Sequence, residues 1–78
     1  MFEGKWQSVV SSNIAAIGYK TYDSDMKCDL FVRFNSGAEY TYHNVPTDVV
    51  QEFLDAGSKG GFFAANIKGK YSYNKMAG

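Results

Sequence analysis

Cys28 and His43 are the chain's one thiol and one imidazole. Such a pair can act as nucleophile and base, provided both side chains reach the same point. Asp23, Asp25 and Asp29 in "DSDMKCD" have a spacing reminiscent of a calcium loop. The central glycine and closing glutamate of such a loop are missing, so an ordinary solvated turn is expected. One Cys and one His fall short of the three or four ligands of a zinc site. Paired carboxylates, a glycine-rich phosphate loop and an activated serine do not stand out. No catalytic residue, metal or cofactor is expected.

The segment "SKGGFFAANIKGKYSY" (58–73) has more chemistry to offer. From Gly57 to Gly78 there are four lysines, Lys59, Lys68, Lys70 and Lys75, and no acid. The residues before it carry the other four basic and all eight acidic side chains, so a neutral chain divides into −4 and +4. Ser58 at a helix start leaves backbone N–H groups free for an anion, Lys59 adds charge, and Gly60 allows close approach. The competing reading is a helix–helix connection with glycines chosen for packing. Tyr71 and Tyr73, beside Lys68 and Lys70, could stack on an unpaired base, or one of them could pack on the core. Ser58, Lys59, Gly60, Lys68, Lys70, Tyr71 and Tyr73 are the candidate ligand- or anion-binding residues.

These side chains need a frame. "SNIAAIGYKTY" (12–22) reads as a strand, with Gly18 a bulge or a close approach. "KCDLFVRF" (27–34) alternates, placing Cys28, Leu30, Val32 and Phe34 on one face. "NSG" (35–37) suits a three-residue hairpin loop with positive φ at its glycine, and "AEYTYHN" returns. That loop sets Phe34 opposite Ala38, Val32 opposite Tyr40 and Leu30 opposite Tyr42, so both tyrosines join the aliphatic face. Arg33 then meets Glu39, and Asp29 meets His43, on the other face. A two-residue loop would reverse the tyrosines. Cys28 and His43 consequently point to opposite faces, which separates them as a catalytic pair. "VPTDVVQEFLDAG" (45–57) predicts a helix with Pro46 at its first position and Gly57 as a left-handed stop. A second, shorter helix over 59–67 is capped by Ser58 and anchored by Phe63 and Ile67. "KGKYSYNKMAG" ends as an extended segment or a fourth strand with a frayed tip.

The expected fold is α+β: a small antiparallel three- to four-stranded sheet with one long and one short helix packed on one face. Leu30, Val32, Phe34, Tyr40, Tyr42, Val50, Phe53, Leu54, Phe63 and Ile67 form the expected core. Phe31 is left on the open face, where Trp6 could also pack, and a homodimer through Phe31 or a strand edge is expected. Seventy-eight residues make one domain. A lone cysteine excludes an internal disulfide and suits a reducing cytosol. There is no apolar run long enough to span a membrane and no signal-peptide core, so a soluble cytoplasmic protein is expected.

The ordered set "VVSSNIAAIGY", "FNSGAEYTYHNVP" and "FLDAGSKGGFFAANIKGKYSY" resembles the KTSC domain family, named for a domain at the C-terminus of some lysyl-tRNA synthetases and found also as small bacterial and phage proteins. The likeness covers residues 9–73, leaving 1–8 as an N-terminal extension and 74–78 as a frayed tail. It implies no established activity and no catalytic residues. The synthetase association suggests RNA binding. The expected function is a non-catalytic module binding RNA, a nucleotide or another phosphate-bearing ligand through the basic C-terminal face. The alternatives are a protein-interaction module of phage or bacterial origin and a nucleotide-sequestering phage protein.

Overall fold

The computed structural model describes residues 6–22 and 26–77. Asp23 and Asp25, in the calcium-like spacing, lie outside the described residues, as does most of the N-terminal extension. The described chain folds as α+β. Five strands, β1 (Gln7–Ser8), β2 (Ile14–Thr21), β3 (Lys27–Phe34), β4 (Glu39–Pro46) and β5 (Tyr73–Ala77), form one antiparallel sheet in sequential order. Helices α1 (Thr47–Asp55) and α2 (Lys59–Asn66) pack on one face. The sheet is thus wider than the three to four strands expected. Gln7–Ser8 is too short to show alternation, yet it pairs with Ala16 and Ile17. Residues 74–77, expected as a frayed tail, pair with β4 over Thr41 to Glu39.

The β3–β4 hairpin has the expected register: Leu30 faces Tyr42, Val32 faces Tyr40 and Arg33 faces Glu39. Gly37 closes the loop at φ 96°, a backbone that glycine adopts without a Cβ penalty. Two bulges then bring the core together. Ile14 and Ile17, three residues apart, would fall on opposite faces of a regular strand. An extra residue at Ala15, rather than at Gly18, turns both inward, and both are fully buried. Likewise His43 and Asn44 together oppose Asp29, with Asn44 at φ 58°, so Tyr42 and Val45 both reach the core.

That second bulge also shortens the first helix. Val45 and Pro46 belong to β4, and Pro46 caps α1 instead of occupying its first turn. The helix leaves through an extended Ala56, whose N–H donates to Phe53 O at 3.2 Å. Gly57 is not a left-handed stop, because the chain must run extended into Ser58 to begin α2. At nine and eight residues the helices are nearly equal, where one long and one short were expected. Seven of the ten expected core residues are buried. Phe34, Tyr40 and Leu54 are half-buried against that core.

Phe31 departs from expectation: it is buried rather than exposed on the open face. Trp6 meets it edge to face, ring centroids 6.4 Å apart. Arg33 lies 4.3 Å over the Trp6 ring and bonds Glu39 Oε2 through Nε at 2.7 Å. A cation on an indole and an ion pair on the cation hold the N-terminal segment on the sheet. A homodimer centred on Phe31 would have to displace that lid. Trp6→Ala is expected to cost about 1–2 kcal/mol. Thermal melts should show Tm lower by roughly 5–15 °C; an unchanged Tm would mean the indole contributes nothing.

Candidate binding groove

Cys28 is fully buried on the helix face, its Sγ donating to Val45 O at 3.4 Å, and burial pushes its thiol up to about 11. His43 lies on the opposite face. Its Nδ1 is 3.1 Å from Asp29 Oδ1 and its Nε2 is 3.0 Å from Asn74 Nδ2. Tyr22 donates to the same carboxylate oxygen at 2.6 Å and accepts from Asn44 N–H at 3.1 Å. The hydrogen bond to Asp29 raises the Tyr22 pKa, because it favours the neutral phenol. This network ties β3, β4 and β5 together across the bulge. Cys28 and His43 therefore never meet. Among the described residues no cluster of three potential metal ligands exists.

The start of α2 is occupied by its own chain. Ser58 Oγ accepts the Gly61 N–H at 3.2 Å, and Ser58 O accepts that of Phe62 at 3.0 Å. Lys59 Nζ folds back onto the carbonyl of Ala56. A Cβ at Gly61 would lie 2.9 Å from Ser58 Oγ, and one at Gly60 would lie 3.3 Å from Asn13 Nδ2. The two glycines thus serve the cap and the contact between α2 and the chain before β2.

Because α2 is short, it leaves the hairpin end of the sheet uncovered. A groove of about 840 Å³ opens there, between α2, the β3–β4 turn and β5. Phe34, Tyr40, Tyr42, Phe63 and Tyr73 supply its aromatic surface, with neighbouring ring centroids 5.4–6.4 Å apart. Asn13, Asn35 and Ser36 give it a polar end, and Lys68 is the one charged side chain in its lining. Of the candidate residues, the groove brings together Gly60, Lys68 and Tyr73. It leaves Ser58, Lys59, Lys70 and Tyr71 outside its lining, with Tyr71 half-buried against the core. Tyr73 is 56% exposed.

Tyr40, Asn13 and Asn35 escaped sequence reasoning as site residues. The two asparagines come from separate loops, joined where Asn35 N–H donates to Asn13 O at 2.8 Å. Tyr40 had a usable signal: it shares a face with Tyr42 but sits one pair nearer the hairpin tip, beyond helical cover. Tyr42 is 5% exposed and lines the groove; its hydroxyl makes no hydrogen bond to a described residue but is not sealed off, whereas Thr41 Oγ1 is buried without a partner among the described residues. Burial raises its phenol to about 12, with Tyr40 and Tyr73 adding to the shift.

Residues 10–71 match the KTSC domain. The crystal structure of a KTSC domain protein from Yersinia pestis is similar at TM-score 0.82 and 38% identity, over 92% of this chain and 96% of that one. A 48-residue stretch is 42% identical to a lysine–tRNA ligase of Trichormus variabilis and 40% identical to one of Nostoc sp.. Each match spans 62% of this chain but 9% of the ligase. A protein of Tsukamurella paurometabola is 37% identical over 65 residues, 83% of this chain and 91% of that one.

Two measurements test this geometry. Ser58→Ala is expected to cost about 1 kcal/mol through loss of the cap, read in urea unfolding as a lower midpoint. The buried phenol and thiol give an alkaline signature. Both stay protonated in the folded chain above the pH at which the unfolded chain ionises them, from the ordinary 10 for Tyr42 and 9 for Cys28. Stability contributed by these groups is therefore full below pH 9 and lost as pH rises through about 11 and 12. Tyr42→Phe should flatten the upper part of that decline in melts from pH 8 to 12; a parallel decline in parent and variant would refute the assignment.

Proposed function

The chain belongs to the KTSC domain family, and we propose that it is a non-catalytic binding module for single-stranded RNA or another phosphate-bearing ligand. One observation carries this reading: Lys68 and the exposed Tyr73 line the same aromatic groove, in a segment with four lysines and no acid. Mixed signs are usual on a surface that is merely solvated. Lysine supplies the phosphate attraction and tyrosine a face for an unpaired base. Two relatives are named as lysine–tRNA ligases, and the matched stretch is 9% of each, so it is the handling of RNA, not ligation, that the likeness favours. No helix among the described residues is long and apolar enough to cross a membrane, and a lone buried thiol fits a reducing cytoplasm.

A second reading, a protein-interaction module, is favoured by β5, an outermost strand carrying the exposed side chains of Tyr73 and Met76. Such an edge can pair with another strand, including that of a second copy. Salt separates the two readings, because backbone pairing depends on ionic strength far less than lysine–phosphate contact does.

Lys68 and Lys70 are both exposed, so the Lys68→Glu/Lys70→Glu double variant should keep its Tm. Its affinity for a short single-stranded RNA at low salt should fall roughly tenfold or more. The slope of log K against log salt should shrink by about 1.4, at about 0.7 per lost phosphate contact. Fluorescence anisotropy measures both. Unchanged affinity and slope in a folded variant would reduce the basic face to ordinary surface.

A further inference from the structure

We propose that the groove is a pocket for one unpaired nucleobase, stacked on the exposed face of Tyr73 beside Tyr40, with its edge against the Tyr42 hydroxyl and its phosphate toward Lys68. This rests on the binding function proposed above and adds the ligand group that enters the protein. Tyr42 is the starting point. A hydroxyl on a side chain that is 5% exposed, with no hydrogen bond to a described residue and not sealed from solvent, is a hydrogen-bonding group open to whatever enters the groove. An aliphatic side chain of a partner protein would bury that hydroxyl without satisfying it, which is costly. A heteroaromatic base has donors and acceptors along its edge and apolar faces above and below, matching both the floor and the walls.

The rest of the lining agrees. Tyr73 lies 5.7 Å from Tyr40 and 5.5 Å from Tyr42, tilted by 53° and 34°, so its outer face is not taken up by parallel stacking within the protein. The lining contains Lys68 and no acid, which suits a phosphate attached to the group inside. At about 840 Å³ the groove is within the range of small-ligand sites. A paired base has its edge and both faces occupied, so only an unpaired one can reach Tyr42.

The test uses the full chain and two fluorescent probes of equal length and charge: a single-stranded hexaribonucleotide and its abasic ribose-phosphate counterpart. The base-carrying probe should bind roughly tenfold tighter, in keeping with the usual strength of base–aromatic stacking. Tyr73→Leu should remove that difference. Tyr42→Phe should reduce it about fivefold or less with no loss of Tm, the size of one neutral hydrogen bond. If both probes bind alike, the pocket is refuted while phosphate binding stands. If neither binds at low salt, both fall. Competition by free mononucleotides distinguishes the source of the base: effective competition supports the pocket with a free nucleotide as ligand, and failure to compete while the strand still binds supports it with a strand.

Discussion

Two helices of nine and eight residues have to cover one face of a five-stranded sheet. They cannot, and that shortage of cover shapes the molecule. Phe53, fully buried, carries much of the seal between helices and sheet, with Phe62 and Phe63 packed against it at 5.6 and 6.3 Å. Large rings bury more area per residue than aliphatic side chains, which suits a chain near the lower limit for an independent core. Where the helices end, the aromatic layer continues uncovered as Phe34, Tyr40 and Tyr73. The groove is the unroofed edge of the core.

The two β-bulges compensate within the sheet. Each adds a residue to one strand and so turns two side chains of odd spacing toward the same face. At Ala15 this recruits Ile14 as well as Ile17. At Asn44 it recruits Val45 as well as Tyr42, and it sets the exit direction of β4 into α1. The cost is a left-handed residue at Asn44, a conformation asparagine tolerates better than most. The Asp29–His43–Asn74 network spans the same irregularity, so the polar open face is braced where the ladder is interrupted.

The same face is closed over Phe31 by a different device. Trp6 covers Phe31, and the Arg33–Glu39 pair holds the indole in place. One face is therefore sealed by hydrophobic helices and the other by a cation–π contact and an ion pair. This division leaves a helix-side groove in which aromatic surface, an accessible hydroxyl and a lysine coincide.

The sequence by itself determined the local structure. Alternation in residues 27–34, the "NSG" loop and the complementary Arg33–Glu39 and Asp29–His43 pairs specify the hairpin register, because a one-residue slip would expose every apolar side chain. Ser58 and the spacing of Phe63 and Ile67 specify α2 in the same way. From these, Lys68 and Tyr73 were legible as candidates. Tertiary structure decided the rest. The bulges break the period-two pattern that strand reading relies on, so the end of β4 read as helix and Gly18 read as a bulge. β1 and β5 are held by pairing with neighbours rather than by any pattern of their own. Whether Phe31 was exposed depended on an indole twenty-five positions away. The groove joins Asn13, Asn35, Tyr40, Lys68 and Tyr73 from four separate stretches, and their proximity exists only after the sheet has formed and α2 has stopped short of its end.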